Sequence, residues 1–264
     1  MHAGAHHTTD ELEKLFDSIR ALKNQKKYVE ARIKLLQFTE LEQAGNFIIN
    51  ATQRAHLINC LWELSPVWWS TVRHGSLSLR RCSPSDAHFL TACYQNQEFA
   101  QNFNRQKAWF GDLSKALYCY GTAPPLELGM LQWIVCLHGQ PIGLASLSCL
   151  DQTNMKAEFS IGFPAAPPAG IGHKASLMAM HFGFFLINLN KLYTYVYADN
   201  VRAASLTERL GFRKEGVFHD HFHIPPYGYV DINAFGLTRN QAQRTRVLLR
   251  AAKRLIGQDW SPKE

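Results

Sequence analysis

The segment from Leu131 to Leu150 does most to limit the possible folds. Two apolar runs of strand length, LQWIVCL and IGLASLSCL, are joined by HGQP, which carries a glycine and a proline where a hairpin needs its turn. Neighbouring strands of a hairpin are antiparallel, so any sheet built here is at least partly antiparallel. Strand-like and helix-like segments alternate around it. GSLSLRRC and KAEFSIGF alternate as strands do, and SPSDAHFLTACYQN opens a helix at Ser83 with Pro84 in its first position. YGTAPPLELG, rich in turn formers, reads as a loop before the hairpin. KLYTYVYA is a further strand, NVRAASLTERLGF a short helix with its stop, and YVDINAFGL a closing strand. The pattern predicts an α/β fold with a mixed, mostly antiparallel sheet flanked by helices.

Helical spacing dominates the first part of the chain. Thr8 and Glu11 make a capping-box pair, and Leu12, Leu15, Phe16, Ile19 and Leu22 share one helical face. Val29, Ile33 and Leu36 continue the period after KNQKK. A third helix is expected over Leu41 to Leu64, with Phe47, Ile48, Leu57, Leu61 and Trp62 apolar, while residues 1–7 read as disordered. At the other end RNQAQRTRVLLRAAKRLIGQ predicts one basic amphipathic helix, with Val247, Leu248, Ala251, Leu255 and Ile256 set against Arg244, Arg246, Arg250, Lys253 and Arg254. The organisation is therefore a helical extension over 1–70, a main domain over 76–240 and a basic tail over 241–264.

The 264 residues suffice for a sizeable core. The longest apolar run falls short of the ~20 residues of a membrane span, and MHAGAHHTTDELEKL lacks the apolar stretch of a signal peptide, so a cytoplasmic location is expected. Six cysteines without a CxxC pair read as reduced thiols rather than as a disulfide or zinc framework, and no metal is expected. A net charge of +7 favours anionic ligands or partners. The Arg-rich tail lacks interleaved aromatics, which argues against nucleic acid. Its basic helix suits an acidic protein partner.

PPAGIGHKASLMAM sets two glycines, Gly170 and Gly172, between a strand and an apolar helix. Bare backbone at a helix start exposes N–H groups backed by the helix dipole, and that combination holds phosphate. Lys174 lies nearby. About thirty residues further on, NVRAASLTERLGFRKEG completes a set that resembles the GNAT N-acetyltransferase superfamily. The resemblance runs from about Ser76 to Thr238, with LQWIVCLHGQPIGLASL as the central hairpin, KAEFSIGF as the strand before the loop and AGIGHKA as the pyrophosphate loop. NVRAASLTERLGFRKEGVF followed by YGYVDINAFGL looks most like the branch that includes ribosomal-protein N-terminal acetyltransferases.

The resemblance implies a GNAT fold that takes acetyl-coenzyme A as co-substrate and transfers acetyl to a primary amine in a ternary complex. The acceptor would be a protein N-terminus or a small-molecule amine. Backbone N–H groups of Gly170, Ile171, Gly172, His173 and Lys174 would take phosphate oxygens. The strand KAEFSIGF would part from its neighbour so that the pantetheine arm pairs with it around Phe159 and Ile161, and Asn200 would contact the same arm. Glu158 matches an acid that serves as general base in some relatives. Two departures stand out: Pro167 replaces the usual Arg or Gln at the loop entrance, and Thr207 stands where many relatives carry a Tyr that protonates the leaving thiolate. The rival readings are an acyl carrier protein as donor and a non-catalytic module that binds coenzyme A or another anion.

The base matters because the attacking amine must be neutral. A lysine-like amine of pKa ~10.4 costs about 4.6 kcal/mol to deprotonate at pH 7, whereas an α-amine near 7.7–8.0 costs about 1–1.4 kcal/mol. In FHDHFHIPPYGYVD, His219, His221 and His223 would share one face of a strand. His219 and His221 are candidates for the acceptor cleft, and Asp231 matches a frequent family acid. Cys136 and Cys149 lie in apolar strand patterns and read as packing residues rather than nucleophiles.

Overall fold

The computed structural model describes residues 4–44, 49–103, 113–225 and 228–262. The chain divides into two compact units, one of residues up to Trp68 with Thr122–Glu127, the other of Trp69–Gly121 with Leu128–Glu264. The first unit thus borrows a short segment from within the span that the sequence assigns to the main domain.

Three helices build the first unit: α1 (Gly4–Asn24), α2 (Tyr28–Gln43) and α3 (Ala51–Glu63). The apolar stripe of α1 supplies Leu12 and Ile19 to a core shared with Ala31, Leu35, Phe38, Ile49, Leu57 and Leu64. The third helix starts later than its spacing suggests. Asn50 forms a full capping box with Gln53, satisfying otherwise orphaned amides and fixing the start at Ala51. The expected apolar positions Phe47 and Ile48 lie outside the described residues. Lys23 bridges Glu63 at 2.7 Å and Glu127 at 2.9 Å.

The second unit is an eight-stranded sheet. Its strands are β1 (Val72–His74), β2 (Leu77–Arg81), β3 (Met130–Leu137), β4 (Gln140–Asp151), β5 (Lys156–Gly162), β6 (Lys191–Tyr197), β7 (Arg213–Ile224) and β8 (Gly228–Thr238). They lie in the order β1-β2-β3-β4-β5-β6-β8-β7, and every junction is antiparallel except β5–β6. The expected hairpin is β3–β4, with Leu137 opposite Gln140. The parallel β5–β6 pair requires a crossover, which α8 (Ile171–His181) provides.

Helices cover both faces of the first half of this sheet. On one face α4 (Ala87–Gln95), α5 (Gln97–Phe103) and α6 (Leu113–Thr122) contribute Leu90, Cys93, Phe99 and Leu117 to a cluster with Ile134, Cys136 and Leu144 of the hairpin. On the other, α8 and the π-helical turn Phe182–Leu186 press on the sheet, with Phe182 edge-on to Trp133 at 5.1 Å.

Several local expectations shift. Ser83 and Pro84 begin a 3-10 turn, and α4 starts at Ala87. YGTAPPLELG is partly helical: α6 runs to Thr122, and α7 (Pro125–Leu128) starts on a proline, whose fixed φ suits a first helical position. The basic tail is two helices, α10 (Arg239–Arg244) and α11 (Arg246–Ile256), because Thr245 is extended between them. Leu248, Ala252 and Ile256 of α11 are buried, while its arginines face solvent. No described helix is long and apolar enough to cross a membrane.

Candidate active site

β5 is held along its whole length on one side and only partly on the other. With β4 it pairs from Lys156 to Gly162. With β6 it pairs only at Lys156–Lys191, Ala157–Leu192 and Glu158–Tyr193. Beyond Glu158 the strands part, so among the described residues the β6-facing edge from Phe159 to Gly162 has no strand partner, and β6 continues against β8 as far as Tyr197. The bonding groups left there can take another amide-bearing chain.

The parted edge leads into the loop before α8. Gly170 is the N-cap at φ +81°, a left-handed conformation that an L side chain strains to adopt, and a Cβ added there would meet nothing within 4 Å. Its glycine therefore answers a conformational demand rather than a crowding one. Two of the five expected donors are already engaged: Ile171 N–H donates to Pro168 O at 3.0 Å and Lys174 N–H to Gly170 O at 2.9 Å. Among the described residues, the amides of Gly170, Gly172 and His173 have no backbone acceptor. Burial, reinforced by the charge of Arg254, lowers the pKa of His173. Arg254 of α11 therefore adds positive potential beside the start of α8. The basic periodicity of the tail gave no sign of that placement, which depends on how α11 packs on α8.

Asn200 caps α9 (Val201–Arg209), accepting from Ala203 N–H at 3.0 Å, while its amide donates to Asn102 Oδ1 of α5 at 3.2 Å. Thr207 is half-buried on α9, and its carbonyl accepts from the amides of Leu210 and Phe212. Phe159 is buried and stacks on Phe212 at 6.1 Å, so only its backbone is available at the parting; Ile161 is half-buried.

Glu158 stands at the last paired rung before the parting, with Ser148 opposite on β4 and Tyr193 on β6. Burial raises its pKa. Cys149 Sγ lies 4.0 Å from its Oε2. Contrary to its apolar setting in the sequence, Cys149 is exposed at φ +50°, because a register shift between Ser148 and Asp151 turns it out of the strand. Burial, together with Cys149 and Glu158, keeps the Tyr193 hydroxyl protonated well beyond the usual tyrosine range.

The three histidines do not share a face. A bulge between Phe218 and Phe222, with Asp220 at φ +49°, breaks the alternation of β7. His219 Nδ1 pairs with Asp231 Oδ2 at 2.9 Å, and Asp231 Oδ1 accepts from Asp220 N–H, so this acid braces the bulge. His221 instead packs among Phe222, Phe218 and Tyr195, at 4.7, 5.0 and 6.3 Å, and His223 packs on Tyr229. Tyr227 lies outside the described residues. Among those described, no group of three or more His, Cys, Asp or Glu side chains is arranged to hold a metal ion.

Open amides at a left-handed glycine cap, with Lys174 and Arg254 near them, suit a diphosphate, and the free edge of β5 suits an amide-containing arm. The donor set therefore fits coenzyme A. Residues 76–213 match the family model described as "Acetyltransferase (GNAT) domain". The chain belongs to this GNAT acetyltransferase family. Spermidine N(1)-acetyltransferase of Escherichia coli (strain K12) is 33% identical over 94 residues, 35% of this chain and 50% of that protein. The chain thus spans about half the length of that curated relative. The uncharacterized N-acetyltransferase YoaA of Bacillus subtilis (strain 168) is 24% identical over 170 residues, 62% of this chain and 93% of its own length. The solved structure of Mycobacterium smegmatis RimJ in complex with CoA-disulfide superposes with a TM-score of 0.56 at 18% identity, over 71% of this chain and 97% of that one. At that identity the likeness establishes the fold alone, that of a GNAT sheet.

Proposed function

We propose that the chain is an acetyl-coenzyme A-dependent N-acetyltransferase acting on a primary amine by direct transfer in a ternary complex. The observation that carries this reading is the parting of β5 from β6 directly after Glu158, with the open start of α8 at the far end of the same edge. When bound, acetyl-coenzyme A supplies an activated thioester. The chain's own residues do the remaining work. Amides of Gly170, Gly172 and His173 hold the diphosphate, with Lys174 and Arg254 adding charge. The free edge of β5 at Phe159–Ile161 orients the pantetheine arm, and an amide there polarises the thioester oxygen. Asn200 holds the start of α9 against α5.

Glu158 takes a proton from the incoming ammonium, directly or through a water. Its raised pKa brings the carboxylate closer to that of the amine and makes it a better base than an ordinary glutamate. Thr207 is too weak an acid to replace a tyrosine, so solvent returns the proton to the departing thiolate.

The acceptor is a small-molecule amine or a protein N-terminus. The relatives named for spermidine support the first, and the likeness of NVRAASLTERLGFRKEGVF to the ribosomal-protein branch supports the second. The test is release of coenzyme A thiol, with the acetylated product identified by mass, across polyamines, amino sugars and peptides with free N-termini. Turnover with at least one class is expected. Tight coenzyme binding with silence across all three would replace this reading with that of a non-catalytic binding module.

A further inference from the structure

A cavity of about 260 Å³ opens on the same face of the sheet as Glu158, lined by Tyr193, Tyr195, Phe218 and Glu215 together with Lys156 and Lys191. How its floor is built suggests what it takes. Glu215 falls at a register shift of β7 between Lys214 and Gly216. Its carboxylate lies directly over Gly236 of β8, where an added Cβ would come within 2.3 Å of Oε1. A side chain at that position would push the carboxylate out of this placement. That carboxylate receives one ammonium through both oxygens: Lys191 Nζ donates to Oε1 at 2.8 Å and Oε2 at 2.7 Å. The rings of Tyr193 and Tyr195 stand beside it, their centroids 5.5 Å apart. The other lining cation, Lys156, is drawn toward Asp151 at 3.8 Å. The cavity therefore already holds a primary ammonium on a carboxylate, with aromatic walls that attract cations. Because that ion pair is half-exposed, exchanging its cation costs little.

We infer that this cavity seats a second ammonium group of the acceptor, with Glu215 as its counter-ion and Lys191 as the resident cation that it displaces. The inference rests on the reading of Glu158 as the group facing the reacting amine. Glu158 and Gly236 lie on one lateral row through Tyr193, two strands apart, which sets about 10 Å between their backbones. An alkyl chain bearing an amine at each end bridges that interval, whereas a monoamine of equal length reaches only one carboxylate.

The experiment is calorimetric titration of the full chain, saturated with coenzyme A, with 1,5-diaminopentane and with 1-aminopentane. The wild-type chain should prefer the diamine by about threefold, the scale of the cation–π contact that remains once one screened ion pair has been exchanged for another. Glu215→Gln should erase the preference, and Lys191→Met, which vacates the seat, should enlarge it. The two variants have opposite expected signs, so either one is decisive if the other is unstable. Equal affinity for both amines in the wild-type chain, or a preference that survives Glu215→Gln, would overturn the inference. Acetyl transfer to 1-aminopentane, followed in parallel, keeps the two readings apart. Transfer without a diamine preference sinks the second seat alone, whereas loss of coenzyme binding sinks the acetyltransferase reading beneath it.

Discussion

The two faces of β5 and β6 carry alternate residues of the same strands and serve opposite ends. On one side lie Ala157, Phe159, Leu192, Thr194 and Val196, all buried. Toward the opposite side point Lys156, Glu158, Ser160, Lys191, Tyr193 and Tyr195, all half-buried and polar or aromatic. Period-two alternation lets one strand pair build a core and a reactive surface together, because neighbouring side chains never share a face. The packed face has few ways to change without leaving a void. The open face stores groups that are uncomfortable where they are, above all a carboxylate pushed toward its neutral form.

Substitutions can break this contrast, and the largest effect belongs to the open face. Glu158→Gln should lower kcat/KM for a lysine-like amine by about 10²–10⁴. It should also remove an acid limb that in the wild-type chain lies above the ordinary glutamate range, since the base works only when ionised. Stability should move the other way. The folded state raises the pKa of Glu158, so it binds more protons than the unfolded state just above pH ~4.3, and folding stability contributed by this group falls as pH rises through that window. The glutamine variant avoids that loss and should be at least as stable as the wild type at neutral pH by urea denaturation. A marked loss of stability there would show Glu158 to be a structural group.

On the packed face, Leu192→Ala should do the reverse, costing about 2–5 kcal/mol of stability by the same measurement. Leu192 is fully buried and packs beside Gly183 in the turn after α8. Residual activity per folded molecule should remain near wild type. A smaller effect is expected at the coenzyme loop: Gly170→Ala forces a left-handed alanine, at about 1–2 kcal/mol, and should weaken coenzyme A binding while leaving amine binding unchanged. The smallest is at the cap: Asn200→Ala should cost about 1 kcal/mol and loosen α9 in hydrogen exchange.

The sequence disclosed local pattern well. The β3–β4 hairpin, the strand KAEFSIGF and the glycine-marked start of α8 all follow from period, turn residues and cap chemistry within a dozen positions. Features that depend on distant partners were hidden. The bulge that scatters His219, His221 and His223 depends on how β7 pairs with β8 around Asp231. Arg254 reaches the neighbourhood of His173 only through the packing of α11 on α8. Lys191 and Glu215 meet because β8 inserts between their strands and offers a glycine. Two of the five expected loop amides turned out to be engaged because Pro168 and Gly170 present their carbonyls inward, a backbone detail that composition does not encode.

The central claim is that the open edge of β5 and the start of α8 together hold the coenzyme. Backbone amide NMR of the full chain during titration with coenzyme A tests it directly. Concerted shifts, and slowed hydrogen exchange, are expected at Gly170, Gly172, His173 and Phe159–Ile161 on saturation. Saturable binding that leaves these amides unmoved, or no binding at all, would contradict it.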